Sequence, residues 1–301
     1  MILKKYLNNP VLLRSVLLAH LGQGLPDKLY LQLKWRNCMG YKLDLSNPKT
    51  YNEKLQWLKL YDRNPLYTQL VDKYAVKEYV SDKIGANHVI PTIGVWDKVE
   101  DIEWENLPNQ FVLKCTHDSG GLVICKDKKA LDIKKSIKIL SNSLSYDFYK
   151  AGREWPYKNV PRRIIAEKYM EDEYGELRDY KLFCFDGQVK AMFIATDRSK
   201  GSHAVRFDFF DDQFNHLPFT NGHPNAAKLP EKPKQFEKMK ELAEVLSKGI
   251  PHVRVDFYEI GDQIYFGEMT LFHWSGMVPF EPKEWDYKFG EWLKLPDSVN
   301  S

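Results

Sequence analysis

Apolar residues over the first 83 positions recur mainly at the spacing of helices. In the segment TYNEKLQWLKLYD, Leu55 and Leu58 fall on one stripe, and SNP and NP sequences stand on either side. The next segment, NPLYTQLVDKYAVKEYVSDKIG, has the pattern of one amphipathic helix that ends at Gly85. The pattern therefore predicts a mainly helical N-terminal region.

From Phe111 onwards, runs of apolar and alternating residues predict strands instead. After a short strand in HVIPTIGVWD, the segment QFVLKCTHDSGGLVICKD predicts two strands joined by a glycine-containing loop. RRIIAEKYMED predicts a further strand, and DYKLFCFDGQVKAMFIATD predicts a hairpin that turns at Asp186-Gly187. HVRVDFYEIGDQIYFGEMT predicts a last hairpin, whereas residues 197–230 are rich in loop-forming residues.

Helices are predicted between these strands, at about residues 129–145 and in KPKQFEKMKELAEVLSKGI, which ends at Gly249. Hairpins separated by grouped helices favour an α+β fold over a doubly wound parallel sheet. The tryptophan-rich C-terminal segment has no pattern that predicts its structure.

The composition is ordinary for a globular protein, with 301 residues of which 43% are hydrophobic and 28% charged. A net charge of +3 without a long basic run does not point to nucleic acid as a partner. There are four cysteines and no C-x-x-C pair, which argues against a zinc site and favours a reducing compartment.

The most apolar segment near the N-terminus is VLLRSVLLAHLG, which Arg14 and His20 interrupt. It is shorter than the roughly 20 apolar residues of a membrane span, and it lacks the cleavage site of a signal peptide. We therefore expect a cytoplasmic protein. Lys4, Lys5 and Arg14 beside leucines offer a peripheral contact with the inner face of the membrane, and packing on the protein itself is the alternative.

Charged residues in the last predicted hairpin are the first candidates for chemistry. If its loop is Gly261-Asp262-Gln263, Asp256 lies opposite Glu268, with their Cβ atoms about 4.5–5.5 Å apart. A two-residue turn at Gly261-Asp262 would instead put Asp256 opposite Gly267 and turn Glu268 to the other face. We therefore expect a three-residue loop if the two carboxylates act together.

Two carboxylates at that distance repel each other unless a cation lies between them. Oxygen ligands of this kind suit Mg²⁺ or Mn²⁺, and Mg²⁺ commonly completes its shell with substrate phosphates. The hairpin thus predicts a nucleotide site. The alternative is a structural salt bridge between Asp256 and Arg254 or a lysine.

A second candidate lies in FVLKCTHDSGG, where a strand delivers Lys114 and a glycine loop follows. Glycines allow backbone N–H groups to approach phosphate oxygens, and a lysine adds a positive charge. The segment does not have the Walker pattern. The alternative is a plain hairpin turn.

The third candidate is the strand in RIIAEKYMED. An edge strand with exposed backbone groups can mimic a base pair to adenine, and apolar neighbours would sandwich the ring. The alternative is an edge strand with ordinary charged ends.

Five segments in this order resemble the ATP-grasp superfamily: VDKYAVKEYV with GANHVIPTIG, FVLKCTHDSGG, IIAEKYM, RDYKLFCFDGQV and VRVDFYEIGDQIYFGEMT. The resemblance is closest to the teichuronopeptide-biosynthesis (TupA-like) branch, which is found with bacterial surface-polysaccharide genes. It covers roughly residues 45–295.

The resemblance implies an ATP-grasp fold, in which ATP is held between a small lid subdomain and a larger C-terminal subdomain. We expect a mainly helical N-terminal region at residues 1–105, the lid at 106–176 and the C-terminal subdomain with the metal site at 177–301. It also implies that a carboxylate is activated as an acyl phosphate, which an amine or thiol then attacks.

The resemblance also assigns residues to ATP. Lys114 would hold the α- and β-phosphates, and Lys73 would be a further phosphate-facing lysine, with Lys77 as its competitor on the same helix. The loop over the triphosphate would contain His117, Ser119, Gly120 and Gly121. Glu167 would bind the adenine amino group through solvent or lysine, while Lys168, Tyr169 and Met170 line the adenine slot. Glu173 would bind the ribose, with Glu171 and Glu176 as competitors.

For the metal, the resemblance matches Asp256 and Glu268 to Mg²⁺ ligands and Arg254 to the transition-state arginine. The chain departs from the family at Thr270, where many relatives carry an asparagine as a third ligand. A threonine hydroxyl is a weaker ligand, so the family's second metal site is in doubt here.

On the acceptor side, the segment LFHWSGM follows the metal strand where relatives hold the substrate carboxylate. Ser275 and the Gly276 backbone could donate to an oxyanion, and His273 could take a proton from an incoming amine. The alternative is that Trp274 and Met277 pack and His273 is merely polar.

Four basic residues could grip an acidic sugar or sugar phosphate, and the alternative is that they are solvated; they are Arg178, Lys181, Arg198 and Arg206.

The function that follows is that of a ligase dependent on ATP and Mg²⁺ (or Mn²⁺), acting in surface-polysaccharide biosynthesis. It would join a sugar acid of the uronic acid type to an amino acid or amino sugar. The alternatives are a sugar kinase, a polysaccharide glycosyltransferase and a nucleotide-binding scaffold. For the glycosyltransferase, Asp211-Asp212 is a poor substitute for a D-x-D metal motif.

Overall fold

The computed structural model describes residues 10–173, 175, 177–197 and 203–297. The α-helices of these residues are α1 (Pro10–Leu21), α2 (Asp27–Met39), α3 (Tyr51–Tyr61), α4 (Leu66–Val71), α5 (Val76–Ile84), α6 (Ile133–Ser145), α7 (Phe148–Gly152), α8 (Phe236–Ser247) and α9 (Glu284–Trp292). The strands are β1 (Thr92–Trp96), β2 (Phe111–Cys115), β3 (Leu122–Cys125), β4 (Ile164–Lys168), β5 (Asp179–Phe185), β6 (Gln188–Thr196), β7 (Arg206–Asp211), β8 (His216–Leu217), β9 (Thr220–Asn221), β10 (Val253–Ile260), β11 (Gln263–Thr270) and β12 (Phe280–Glu281).

Helix α3 begins with a capping box, which explains why the predicted helix starts at Tyr51. The Thr50 hydroxyl accepts a hydrogen bond from the Glu53 N–H at 3.2 Å, and the Glu53 carboxylate accepts one from the Thr50 N–H at 3.1 Å. The apolar face of α3 packs against the large sheet, and Tyr51 and Leu55 are fully buried there.

The single helix predicted up to Gly85 is wrong, because the chain breaks at Asp72 into α4 and α5. The Asp72 carboxylate accepts hydrogen bonds from the N–H groups of Tyr74 and Ala75 at 2.8 and 3.2 Å. The Lys73 N–H bonds the carbonyl of Thr116 at 3.1 Å. The competing side-chain and loop bonds outweigh the helical pattern, and they tie this break to the end of β2.

The small sheet has the strand order β1-β4-β2-β3, and all of its neighbours are antiparallel. Its core is closed by α6, which buries Leu140 against Phe111 and Leu113. Strand β4 lies between β1 and β2, so the prediction of an edge strand is wrong there. Its backbone groups are used in the sheet up to Lys168, whose N–H bonds the Pro91 carbonyl at 3.0 Å.

The large sheet is antiparallel throughout, in the order β11-β10-β5-β6-β7-β8. Its β5–β6 hairpin turns at Asp186 and Gly187 as predicted, with φ of 48° and 79°. These left-handed values are those of the turn that suits Asp-Gly in a hairpin. Helix α8 covers one face of the sheet.

The β10–β11 hairpin has a different geometry from the one predicted. Ile260 lies opposite Gln263, so the turn is the two residues Gly261 and Asp262 and not three. Between Phe257↔Phe266 and Asp256↔Glu268, β11 contains one extra residue, Gly267, which is a β-bulge. The bulge shifts the register by one residue.

Because of that shift, Asp256 still lies opposite Glu268, and Arg254 lies opposite Thr270. The predicted pairing of the two carboxylates is confirmed, while the loop length proposed for it is wrong.

The loop-rich segment and the C-terminal segment cover the remaining face of the large sheet. Strands β7, β8 and β9 lie in the former, and β9 pairs with β12. Helix α9 packs on α3, where the Asp286 carboxylate accepts a hydrogen bond from the Asn52 N–H at 2.9 Å. Within the described residues, no helix combines the length and the apolar character that crossing a membrane requires.

Candidate active site

Three connected cavities form one cleft between the small sheet and the hairpin β10–β11. The first cavity, about 340 Å³, lies beside the end of β4 at Lys168, Tyr169 and Met170. The second, about 210 Å³, shares Lys114 and Glu167 with the first. The third, about 360 Å³, shares Lys73 and Glu268 with the second and extends to Ser275. We refer to them below by these numbers.

Lys114 and Lys77 meet at one carboxylate in the second cavity. Glu167, in the middle of the small sheet, lies 2.7 Å from the Lys114 Nζ and 2.5 Å from the Lys77 Nζ. Burial would raise the pKa of Glu167, but Lys114 and Lys77 hold it below its usual range. Burial would also lower the pKa of Lys114, but Glu167 raises it above its ordinary value.

Both ammonium groups are therefore fixed at the cleft by Glu167, whose side chain is only 8% exposed. The geometry makes Glu167 the residue that orients the two lysines. Sequence reasoning treated Lys77 only as a competitor of Lys73, whereas both line the second cavity.

The loop after β2 is held from below by α6. The Ser143 hydroxyl donates a hydrogen bond to the Asp118 carboxylate, and the Lys73 ammonium donates one to the Asp118 carbonyl. A Cβ on Gly121 would overlap the Ser143 Oγ, so only glycine fits at this position. Ser119 and Gly121 line the cleft, as expected of a loop over phosphates.

His117 does not belong to the cleft lining. Its imidazole is buried, and its Nε2 lies 3.2 Å from the carbonyl oxygens of both Ser143 and Tyr146 on the α6 side. Its neighbour Gly120 is exposed and is not among the residues that line the three cavities. The prediction that both contact the triphosphate has no support in this geometry, because Asp118, Ser119 and Gly121 are the loop residues that line the cleft.

The first cavity has the character expected of a ring-binding slot. Lys168, Tyr169 and Met170 line it as predicted, and they do so after β4 has ended rather than along a free strand edge. Lys114, Lys126 and Glu167 also line this cavity. Most of its other lining residues are apolar or aromatic; they are Ile90, Val112, Leu122, Ile124, Leu177 and Tyr258.

The predicted ribose ligand lies outside this lining. Glu173 is paired with Lys234 at 3.4 Å and is 48% exposed, and Glu171 is paired with Lys126 at 3.1 Å. Glu176 lies outside the described residues.

Arg254 joins the predicted metal ligands in one network on β10 and β11. Its guanidinium donates to both oxygens of Asp256 at 2.7 Å, to Glu268 at 3.0 Å and to the Thr270 hydroxyl at 3.0 Å. One nitrogen, Nη2, contacts Asp256, Glu268 and Thr270, so oxygen atoms of the three side chains lie side by side. The Lys181 ammonium donates a hydrogen bond to the Asp256 Oδ2, the same oxygen that Nη2 contacts.

The two carboxylates differ in exposure and in acidity. Asp256 is fully buried, and burial raises its pKa in spite of Arg254 and Lys181. Glu268 has a side chain that is 42% exposed to the cleft. Desolvation would raise its pKa, but Lys181, Arg254 and Lys73 lower it to about 2. Glu268 is therefore ionised at neutral pH and accessible to a cation.

This donor set fits a hard divalent cation. In the part of the chain that is described, no three His, Cys, Asp or Glu side chains are grouped to hold a metal. Two carboxylates with a hydroxyl leave most of the coordination shell to other oxygens, which is the usual situation of protein-bound Mg²⁺ beside phosphates. Asp256 and Glu268 would hold it, with Thr270 as a third oxygen.

His273 is not free to take a proton from a substrate. Arg254 Nη1 can only donate, so the His273 Nδ1 accepts that bond at 2.8 Å, and its Nε2–H donates to Asn221 Oδ1 at 3.0 Å. Burial, with Arg254 nearby, moves its pKa well below the usual range. His273 is a neutral, buried support for Arg254, and the geometry contradicts its predicted role as a base.

The four basic residues predicted to grip an acidic sugar are not together. Lys181 lines the second cavity. Arg178 and Arg206 line a separate cavity of about 550 Å³ with Asp197 and Glu231. Arg198 lies outside the described residues.

Ser275 lies in the third cavity, on a turn that α3 holds. Its hydroxyl is 2.8 Å from the Lys59 Nζ, which also donates to the Ser275 carbonyl at 2.7 Å. Gly276 packs against α3 instead, where its carbonyl accepts a hydrogen bond from Gln56 at 2.9 Å. The predicted oxyanion contact therefore has support at Ser275 only.

Sequence reasoning missed Lys59 and Glu154, both buried beside Ser275. Lys59 occupies an ordinary position in the helical pattern of α3, and Glu154 stands in the irregular segment after α7. Neither belongs to a motif, so no signal in the sequence could have indicated them.

Two sheets that face each other across a cleft lined by lysines and paired carboxylates define the architecture of the ATP-grasp class. The model of the family described as TupA-like ATPgrasp matches residues 53–294, and the chain belongs to this family. The expected α+β fold with a helical N-terminal region is thereby confirmed.

Solved structures resemble the chain only distantly. D-alanine–D-alanine ligase from Bacillus anthracis, complexed with ATP, is 16% identical over 67% of this chain and 55% of its own, with a TM-score of 0.39. The ligase of the same name from Helicobacter pylori is 14% identical over 81% of this chain and 69% of its own (TM-score 0.44). N5-carboxyaminoimidazole ribonucleotide synthetase from Thermus thermophilus is 12% identical over 76% and 55% (TM-score 0.42).

The chain thus spans little more than half the length of the Bacillus and Thermus proteins. No curated protein matches its sequence. The family match, rather than these neighbours, identifies the class.

Proposed function

We propose that the protein is an ATP-dependent carboxylate–amine ligase that works through an acyl phosphate. The observation that carries this proposal is the network of Arg254, Asp256 and Glu268 at the junction of the second and third cavities. Carboxylates and an arginine at one point are suited to a cation and to the charge that develops in phosphoryl transfer.

The cleft supports an arrangement of ATP along its length. The adenine ring would occupy the first cavity beside Tyr169 and Met170, and the phosphates the second cavity beside Lys73, Lys77 and Lys114. The lining supports this order, because most residues of the first cavity are apolar or aromatic, whereas the second is lined by four lysines and four carboxylate side chains. The small sheet, including β1, would act as the lid.

Asp256 and Glu268 would hold Mg²⁺, with Mn²⁺ as an alternative. When bound, the ion neutralises phosphate charge. Arg254 would bind the transferring phosphoryl group, and Asn221 through His273 would keep the guanidinium in place. Lys73 would hold the phosphates from the loop side.

The third cavity would receive the substrates, on the side of the metal site away from adenine. We propose a sugar acid of the uronic acid type as the carboxylate, and an amino acid or amino sugar as the amine, in surface-polysaccharide biosynthesis at the cytoplasmic side of the membrane. The aromatic walls of this cavity, Phe148, Tyr157 and Trp274, support a ring-shaped substrate.

Hydroxylamine trapping tests the ligase proposal. With ATP, Mg²⁺ and a panel of hexuronic acids, we expect an acyl hydroxamate, ADP and free phosphate. Glu268→Gln should lower the rate at least ~100-fold, because it removes the exposed metal ligand while a side chain of the same shape replaces it. Thr270→Asn, which restores the family's ligand, serves as the matched variant that should stay active.

Other products would contradict the proposal. A phosphorylated sugar without hydroxamate would indicate a kinase, and transfer from a nucleotide sugar would indicate a glycosyltransferase. ATP binding without any turnover would indicate a nucleotide-binding scaffold.

We further propose that the N-terminal helices contact the membrane surface. Helix α1 exposes Val11, Leu17 and Leu21, and the groove between α1 and α2 includes Arg14 and Arg36. Apolar side chains beside arginines suit an anionic lipid interface. Cosedimentation with phosphatidylglycerol vesicles should fall in Leu17→Glu/Leu21→Glu, and equal sedimentation of the variant would refute this contact.

A further inference from the structure

The turn after β11, which contributes Trp274 and Ser275 to the third cavity, has an unusual backbone. Trp274, Ser275 and Gly276 are three consecutive left-handed residues, with φ of 49°, 57° and 58°. Two of them carry side chains, and such residues cost of the order of 1–3 kcal/mol each. A turn of this kind persists only where its surroundings hold it.

Helix α3 provides that hold through two fully buried side chains. Gln56 donates to the carbonyls of Ser275 and Gly276 at 3.0 and 2.9 Å, and Lys59 donates to the Ser275 carbonyl at 2.7 Å. The result is a fixed Ser275 hydroxyl, which accepts a bond from Lys59 and keeps a second lone pair that can accept from a donor in the cavity.

A buried carboxylate faces the same space. Glu154 lines the third cavity and is 7% exposed, and no hydrogen bond or ion pair from the described residues reaches its carboxylate. A Cβ placed on Gly152 would lie 2.5 Å from the Ser275 Oγ and 2.7 Å from the Glu154 Oε1. Only glycine at this position leaves room for both polar groups.

A carboxylate in such a place needs a cation, because an unpaired buried charge is costly. Lys59 and Lys34 lie near enough to interact with it electrostatically, but neither forms an ion pair with it. The Lys59 ammonium is already used by Ser275 and Gln56, and the Lys34 ammonium by the Ala151 carbonyl. A positively charged ligand is the missing partner.

We propose that Glu154 binds the ammonium group of the acceptor amine, with Ser275 as a second polar contact held by Lys59. This inference rests on the proposed ligase activity and names its amine subsite. The ligand is a primary amine on a body with an apolar face, because the aromatic side chains of Phe148, Tyr157 and Trp274 are among those that line the cavity. Trp274 is 40% exposed and stands at its rim.

With Glu154 as the proton acceptor, every proton and bond of the amine attack is accounted for. The ammonium gives one proton to Glu154, and the freed nitrogen lone pair attacks the acyl carbon. The C–N bond forms as the bond between the acyl carbon and the phosphate oxygen breaks, and phosphate leaves with that electron pair. The second nitrogen proton goes to the departing phosphate, and Glu154 releases its proton to solvent.

Binding of amines tests the subsite without turnover. Isothermal titration of the full chain with D-glucosamine, D-alanine and ethanolamine should detect at least one ligand, whereas N-acetyl-D-glucosamine, which lacks the ammonium, should not bind. Glu154→Gln should weaken that binding at least ~tenfold. The exposed control Glu105→Gln should not change it.

The inference is overturned if none of the three amines binds the wild-type chain, if the acetylated sugar binds as well as glucosamine, or if Glu154→Gln binds the amines unchanged. The comparison of glucosamine with its acetylated form uses the wild-type chain only, so it decides even if the variant does not fold.

Turnover separates this inference from the proposed function. Hydroxylamine is uncharged at neutral pH and needs no ammonium site. In Glu154→Gln the rate with the amine that binds should therefore fall at least ~tenfold more than the rate with hydroxylamine. Equal losses would overturn the inference, whereas no hydroxamate with wild type would overturn the ligase proposal alone.

Discussion

At the level of single residues, ion pairs between partly or fully buried side chains position the charged groups of the cleft. Glu167 forms ion pairs with Lys77 and Lys114, and Arg254 forms ion pairs with Asp256 and Glu268. Removing one member of a buried pair leaves the other charge unpaired in a poorly solvated place, which costs more than the pair contributes. These residues therefore affect stability as well as the site.

Glu167→Gln tests this at the lysine pair. We expect the free energy of unfolding to fall by roughly 3 kcal/mol, because two partly buried ammonium groups lose their counter-charge. Urea unfolding followed by circular dichroism measures the change. The matched control is Glu171→Gln, whose ion pair with Lys126 is about half exposed and is worth less than about 1 kcal/mol. Equal effects of the two variants would contradict the prediction.

Residue types in the sequence indicated much of this site but not its connections. Lys114, Asp256, Glu268 and Arg254 stand in strand patterns with neighbours that suggest phosphate and metal. The role of Glu167 as the anchor of two lysines depends on Lys77, which lies far away along the chain on α5. No local pattern records such a contact.

At the level of elements, the β-bulge at Gly267 has the largest consequence. A two-residue turn alone would turn Glu268 away from Asp256, because side chains alternate along a strand. The extra residue in β11 cancels that shift and keeps the two carboxylates on one face. The bulge also lies at the junction of the second and third cavities, which Gly267 lines.

Deleting Gly267 tests the bulge. We expect at least a ~100-fold loss of the proposed Mg²⁺-dependent turnover, because Glu268 moves to the opposite face and its proposed metal contact is lost. Circular dichroism should still report a mixed fold. Gly267→Ala is the control that keeps the residue count: its Cβ would lie 3.1 Å from the Tyr258 ring and 3.2 Å from the Asp256 carbonyl oxygen, so each must move by a few tenths of an ångström. An active deletion variant would refute this account.

Elements with strong local signals agree with their predictions. Helix α3 has its capping box, and the β5–β6 hairpin has Asp-Gly at its turn. The predictions that failed depend on other parts of the chain. Strand β4 is interior because β1, which comes earlier in the chain, pairs with its free edge. Helices α4 and α5 are separate because the Asp72 carboxylate accepts a hydrogen bond from Arg163, just before β4, and the Lys73 N–H donates one to the Thr116 carbonyl, just after β2.

At the scale of the whole molecule, burial of titratable groups makes stability depend on pH. His252 is buried between the sheet and α3, where its Nδ1 donates to the Cys184 carbonyl at 2.9 Å and its Nε2 accepts from the Tyr51 hydroxyl at 2.8 Å. Burial lowers its pKa to about 3 from 6.5. The neutral imidazole is the form that the folded protein holds.

The unfolded chain binds a proton at this histidine below pH 6.5, whereas the folded protein does so only near pH 3. Stability from His252 is therefore complete above pH 6.5 and is lost as the pH falls. Between about pH 6 and 4 the loss amounts to about 1.4 kcal/mol per pH unit. The Asp286 carboxyl, whose pKa burial raises to about 6, has the opposite effect.

His252→Gln isolates this contribution, because glutamine cannot titrate and Asp286 affects both proteins alike. We expect the stability of the wild type relative to the variant to fall by about 1.4 kcal/mol per pH unit as the pH drops from about 6 to about 4. Urea unfolding at a series of pH values measures it. A difference that does not depend on pH would exclude the histidine as its source.

By itself the sequence determined the elements with local signals and the residue types of the proposed nucleotide site. Hydrophobic periodicity, helix caps and turn residues depend on residues close together in the chain, and each motif of the family is a continuous stretch of sequence. The tertiary structure alone decided the bulge, the interior position of β4, the buried His273 and the meeting of Lys59, Glu154 and Ser275. These features depend on contacts between residues far apart in the chain, and the energy of burying a charge or fitting a register exists only once both partners are in place.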